Sequence, residues 1–565
     1  MKKNYIYIFI VAILLPLSAC SDFLEIQPKD RVDQESFYKT ETDCNLALNS
    51  MYDKLQLSGT YNNPEWNVIP TDVVKSATWN SQGLGDYNIL PNHKSILIIW
   101  SDHFRAINEA NIVINYTPNA DFSDEKERQR IIYEAKFVRS LMYFNLVRFY
   151  GNIPWIDKPT TYDSDLLPAQ LPDSVIYNHI ISDLDSCRLY LKHKGEIDPG
   201  HATVEAAEAI LASIYITRAS MEKYRRNNGV GNAKSMAYYQ QAAYYCEQVL
   251  NSGKFSLVRY YPDVFTPKNK NNNEIIFSVQ FASGKGTEGS KVGSNMGING
   301  EVGIGGAYGN YESTQYYQKI FAEDDSIRRR WNTVRASIMR EKDVDPAYIF
   351  KYKTTIDFVL RIPGETGALL QWKEGADYRA MAMGKFRRWP VQAKDYSFED
   401  WNCNWPVIRL AEIYMFYAEA LVEINGKLDT EKKAEFYINE LRKRARTSIV
   451  GGVHLNQYPR EYIYNVTSMP DLDFNGWSGK LILDFLKKES ARELGGELQR
   501  WFDLVRWNDL VKTIRDLGTS YNSQGRKLEG DNWGDKNIKD YHMLLPIPTS
   551  EILANPNLKQ NVGYY

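Results

Sequence analysis

The chain has 565 residues and a formal net charge of −2 at neutral pH. That length allows several domains and a large core, and the near-neutral balance leaves no electrostatic footprint for nucleic acid. The unusual feature is 39 tyrosines and 13 tryptophans, apolar plates with a polar edge that suit carbohydrate or protein contact surfaces as well as a core.

Lys2 and Lys3 precede an apolar segment, 5–17. It is shorter than the roughly 20 residues a membrane-spanning helix needs, so it reads as a secretory signal. It ends in Leu17-Ser18-Ala19-Cys20, which matches the bacterial lipobox, where the Cys thiol is acylated and becomes the first mature residue. Buried acyl methylenes would then hold a soluble protein to a membrane. Residues 1–19 are accordingly read as a lipoprotein signal peptide and 20–45 as a polar, lipid-anchored tether. Cys44, Cys187, Cys246 and Cys403 form no CxxC pair or zinc spacing, and are expected to be mostly free and buried.

Residues 46–57 read as a helix. Residues 61–91 form a long loop holding Trp66, Trp79 and Tyr87, and loops of that length in a compact chain are usually functional or disordered. The spacing predicts helices over 96–116 and 124–150. In the second, Ala135, Val138, Met142, Asn145 and Phe149 share one face, and Phe137, Leu141 and Phe144 form another stripe. A helix apolar on so much of its circumference must pack on more than one side. Gly151 and Pro154 mark its end. Helices over 203–219 and 235–250 then form a pair whose small crossing residues resemble a tetratricopeptide unit, and 407–424 with 430–445 forms another. Between the pairs, about 253–406, lies an irregular insert. It has strand candidates at 274–281 and 348–353, and a glycine-rich run at 284–310. Residues 482–510 read as one long helix, and 544–565 as a Pro-containing tail.

Few motifs carry chemistry. Gly284-Lys285-Gly286-Thr287-Glu288-Gly289 matches GxGxxG, but glycines follow where a helix should start, so it reads as a loop. There is no HExxH pair, GxSxG elbow or Walker loop, and no metal site or cofactor is expected. Glu489 and Glu493 lie one helical turn apart. A glycosidase instead sets its carboxylates ~5–10 Å apart across the scissile bond. Interleaved with Arg492 and Arg500, and extended by Glu497, Asp503 and Arg506, the pair reads as a structural charge network. No catalytic constellation is found.

Taken together, these stretches resemble the SusD/RagB family. The resemblance rests on Arg139, Tyr143-Phe144-Asn145 and Tyr150-Gly151-Asn152-Ile153-Pro154. It continues in Arg409-Leu410-Ala411-Glu412-Ile413-Tyr414 with Ala418-Glu419-Ala420, then in Glu497, Arg500, Asp503, Leu504 and Arg506-Trp507. It closes on Leu545-Pro546-Ile547-Pro548, Glu551 and Asn555-Pro556. It implies a mainly α, SusD-like fold over 46–565, with tetratricopeptide-like pairs at about 96–252 and 407–446 and an irregular, ligand-binding insert at about 253–406. It also implies a non-catalytic lipoprotein, exposed on the surface of a Bacteroides-type outer membrane. Such a protein captures oligo- or polysaccharide and delivers it to a SusC-like TonB-dependent β-barrel transporter. Alternatives are a peptide-binding importer lipoprotein of the RagB kind, a surface glycoside hydrolase, or a tetratricopeptide adaptor that binds only protein.

The family motifs carry no binding residue, so the candidate glycan contacts come from loop composition. Sugar C–H faces stack on flat rings, and hydroxyls pair with amides and carboxylates. The first loop offers Trp66, Trp79 and Tyr87 near Asp72 and Asn80. The glycine-rich segment offers Tyr308 and Tyr311, where glycines let the chain approach a ligand, and Trp372 is a third candidate. Cys20 is the expected lipidation site.

Overall fold

The computed structural model describes residues 37–62, 66, 69–76, 83–283, 288–297, 308–321, 325–334, 358–359, 369–370, 381–386, 399–446, 469–519 and 533–564. Most of these are helical. Helix α1 spans Glu41–Asp53 and starts five residues before the sequence suggested. Thr40 caps it, exchanging hydrogen bonds with Asp43 in a capping box. The long loop that follows carries a strand, β1 (Val74–Ser76), and a 3-10 turn at Gly83–Asp86.

Helices α2 (Lys94–Tyr116) and α3 (Glu125–Tyr150) come next. The Asp124 side chain caps α3, acidic Glu125 and Glu127 sit in its first turn, and Gly151 stops it at φ 73°. Both apolar stripes of α3 are buried, because α1, α2 and α4 (Asp173–Tyr190) all pack on it. Helices α5 (Val204–Ser220) and α6 (Ala233–Asn251) follow, with Thr203 and Asn232 as caps. The insert contributes β2 (Ile275–Val279), α7 (Val292–Met296), β3 (Tyr311–Ser313), β4 (Thr333–Val334) and β5 (Met381–Met383).

The stretch expected as a helix over 407–424 begins instead as a strand, β6 (Trp405–Arg409), which pairs antiparallel with β2. Pro406 lacks a helical N–H, and Val407 and Ile408 are β-branched. Helix α8 (Leu410–Asn425) then packs with α6 and with α9 (Lys433–Arg446). The long helix expected over 482–510 is also broken, into α10 (Gly479–Leu494), α11 (Gln499–Arg506) and α12 (Leu510–Gly518). The break falls at Gly495-Gly496, with Gly496 at φ 86° and Leu498 left-handed. The strand expected at 348–353 lies outside the described residues, as do positions 284–287 of the glycine motif.

A buried ionic cluster ties the insert to the C-terminal helices. Arg409, at the end of β6, reaches Glu274 (2.5 Å), Glu493 (2.9 Å) and Glu497 (2.7 Å). Arg444 of α9 pairs with Glu274 (2.9 Å) and with Glu493. Arg328 holds Glu489 (2.8 Å) and Glu493 (3.2 Å), and Lys385 holds Glu497 (2.7 Å). Burial alone would raise the Glu493 carboxyl, yet Arg444, Arg409, Arg328 and Lys385 hold it far below the usual carboxylate range. The Glu489–Glu493 pair is therefore part of a structural charge network. Cys44, Cys187, Cys246 and Cys403 are all free and buried.

Candidate functional site

The four-stranded sheet, in the order β1-β3-β5-β4, joins the first loop to the insert. In the antiparallel β1–β3 pair, Val74 faces Ser313 and Ser76 faces Tyr311. Tyr308 precedes β3 by three residues, and Trp79 follows β1 by three. The register thus sets the last residue of β1 opposite the first residue of β3.

Four of the candidate side chains are buried and hold this region to the frame rather than presenting a surface. Trp66 is 6% exposed and packs on Phe149, with ring centroids 4.9 Å apart. Tyr87 is 1% exposed, donates its hydroxyl to the Pro70 carbonyl, and has its phenol pushed well above the usual range by burial. Asp72 accepts a bidentate pair from Arg500, Nε to Oδ1 at 2.7 Å and Nη2 to Oδ2 at 2.6 Å. Burial opposes the charge on Arg500, but Asp72 holds its pKa above the ordinary value. Tyr311 is 3% exposed in β3. An aromatic in a loop has the composition of a binding platform whether it faces water or core, which is why the sequence did not separate Trp66, Tyr87 and Tyr311 from Tyr308. A loop carboxylate such as Asp72 likewise reads the same whether or not a guanidinium already holds it. Trp79, Asn80 and Trp372 lie outside the described residues.

Tyr308 does reach the surface, with 40% exposure. Its hydroxyl donates to Glu399 Oε1 at 2.9 Å, and Glu399 Oε2 pairs with Lys291 Nζ at 3.1 Å. The backbone N–H groups of Tyr308 and Asn310 donate to the carbonyls of Ser294 and Asn295 at 2.7 and 2.9 Å, seating this segment on α7. Beneath it, Ser290 and Trp401 exchange backbone hydrogen bonds. Gly289 and Gly293 allow that close approach. A Cβ on Gly289 would fall 2.0 Å from Asp400 Oδ1, and one on Gly293 would fall 2.9 Å from the Trp401 ring. The result is an exposed ring edged by a carboxylate and an ammonium. Such a group can stack on an apolar face and exchange hydrogen bonds with hydroxyls. Sequence reasoning missed Glu399 and Lys291, since their meeting with Tyr308 is tertiary. Among the described residues, no group of three or more His, Cys, Asp or Glu side chains is placed to hold a metal ion.

Residues 364–564 match the model of the SusD family, and residues 22–216 match that of a family described as starch-binding and associating with the outer membrane. The chain is 25% identical to SusD-like protein P25 of Formosa agariphila over 100% of both chains. A SusD homolog from Bacteroides thetaiotaomicron has the same fold, with a TM-score of 0.73 at 18% identity, over 94% of this chain and 99% of that one. A laminarin binding SusD-like protein superposes with a TM-score of 0.65 at 21% identity, over 93% of this chain and 100% of that one.

Proposed function

The chain belongs to the SusD-like family, and from that membership we propose that it is a non-catalytic, cell-surface glycan-binding lipoprotein. In this reading it captures oligo- or polysaccharide and delivers it to a SusC-like TonB-dependent outer-membrane transporter. Acylated Cys20 anchors it to the outer membrane, with residues 20–45 as tether and 46–565 as the SusD-like domain. The observation that carries the reading is the surface group of Tyr308, Glu399 and Lys291, in which Tyr308 lies just before the strand that pairs with the first loop. It is supported by a fold that a laminarin binding protein shares. Arg328 engages Glu489, and Arg409 and Arg444 engage Glu493, so this buried pair serves the charge network and is not offered as an acid–base dyad.

Trp79, Asn80 and Trp372 are kept as proposed contacts with Tyr308. Trp66, Asp72, Tyr87 and Tyr311 are assigned to supporting the site from beneath. The test is glycan affinity in two variants, Tyr308→Ala and the double Trp79→Ala/Trp372→Ala. Tyr308→Ala should weaken binding up to about tenfold, the loss of roughly one aromatic stacking contact, and the double variant, which removes two rings, by about tenfold or more. Unchanged affinity in both would remove these residues from the site. Isolation of a TonB-dependent barrel with the acylated chain from membranes would test the delivery step, and recovery of the chain alone would count against it.

A further inference from the structure

Helix α5 does not end in an ordinary turn. Its last residues continue into a π-helical turn, Met221–Arg225, in which the Arg226 N–H donates to the Met221 carbonyl at 3.0 Å. Such turns are rare and cluster at functional sites. This one places Arg225 and Arg226 on the wall of a cavity of ≈360 Å³. Arg148, from the last turn of α3, and Arg506, from α11, line the same cavity, and Asp173 is its one carboxylate.

The four guanidinium groups are not equally satisfied. Arg506 is paired with Glu419 (Nη2 to Oε2, 2.7 Å) and Asp503 (2.9 Å). Arg226 is paired with Asp173 and lies 3.6 Å from Glu222. Arg148 has no carboxylate partner among the described residues. It donates to neutral groups, the Asn145 amide at 2.6 Å, Gln499 at 3.1 Å and the Phe144 carbonyl at 3.3 Å, and lies between the Phe144 and Phe502 rings. Arg225 is half-buried, and its guanidinium makes no hydrogen bond or ion pair with any described residue. Burial lowers the pKa of both, Arg148 to about 10. Desolvation outweighs the attraction of the nearest carboxylates, Asp173 for Arg225 and Glu412 and Asp503 for Arg148. Neither guanidinium is ion-paired with a described residue, so an anion between them would offset the cost of burying them.

We propose that this cavity, between α3, the π-turn after α5, and α11, is a binding site for the oxyanion of a small ligand such as an acidic monosaccharide. The planar guanidinium fork matches carboxylate, sulfate or phosphate oxygens in bidentate fashion. The volume exceeds what a bare ion fills, at roughly 30 Å³ per water equivalent, and accommodates a single sugar ring. The site is separate from the Tyr308 surface and does not depend on the glycan-capture reading.

The test is titration calorimetry of the mature chain with glucuronate, sodium sulfate and sodium phosphate at constant ionic strength, with glucose as the neutral control. At least one anion should bind, glucose should not bind at this site, and Arg225→Ala and Arg225→Gln should weaken anion binding tenfold or more. Tyr308→Ala should leave it unchanged. Binding of glucuronate alone would identify an acidic sugar, and binding of sulfate or phosphate as well would identify a general oxyanion site. If no anion binds, or if both Arg225 variants bind as the parent does, the proposal is wrong.

Discussion

Glu412, in the first turn of α8, is a carboxylic acid kept neutral. It is 3% exposed, and its Oε1 has no hydrogen-bond partner among the described residues. Burial, with Asp503 and Glu497 nearby, pushes it from its ordinary 4.5 up to about 8. Between those values the folded chain holds a proton that the unfolded chain releases. Its contribution is full below about 4.5 and is lost as pH rises through about 8. Glu412→Gln should therefore match the parent near pH 4.5 and become more stable than it toward pH 8, by of order a few kcal/mol. Thermal melts of both proteins across that range check the sign. Arg409 is the opposite case, a buried charge fully engaged. Arg409→Met leaves Glu274, Glu493 and Glu497 short of a partner, and should cost about 3–5 kcal/mol in urea unfolding. The spacing of Glu489, Glu493 and Glu497 made a charge network legible in the sequence. Its hub was not, because Arg409 comes from a strand far away in the chain.

Helix ends follow local rules closely. Thr203, Asp124 and Gly151 mark boundaries in the sequence and occupy them in the fold. Gly426 ends α8 at φ 67° and ψ 5°, and a Cβ there would meet nothing within 4 Å. Gly426→Ala therefore isolates the cost of a left-handed residue, and should lower stability by about 1 kcal/mol with no packing change. A drop several times larger in denaturant unfolding would mean that the cap does more than bend the chain. Where elements were misread, the cause is also local. Pro406 turns the start of an apolar helical pattern into a strand, because β2 offers it a partner. The pair Gly495-Gly496 splits a continuous pattern, because Gly496 takes φ 86° and a Cβ there would fall 2.8 Å from the Met383 side chain. Helix α4 is absent from the sequence expectations although its pattern is local, since Ile176, Tyr177, Ile180, Leu184 and Cys187 recur at helical spacing and are all buried.

At the scale of the whole molecule, the mainly α architecture was readable, because motifs in order along the chain specify helices and their crossings. The site was only partly readable. Asp72 and Arg500 are 428 residues apart, and no local pattern shows that Asp72 is bound to a guanidinium rather than open to a ligand. Trp66 and Tyr87 sit in a loop by sequence and are held by the core beneath it. Tyr308 has the same loop setting in the sequence, and the fold leaves it at the surface. Capture without cleavage is decided most directly by native affinity electrophoresis of residues 21–565 through gels carrying plant, fungal and host polysaccharides, with an assay for released reducing ends. The expected result is retardation by at least one polysaccharide, relieved in Tyr308→Ala, with no reducing ends released. Unretarded migration in every gel, or release of reducing ends from the retarding polysaccharide, would contradict it.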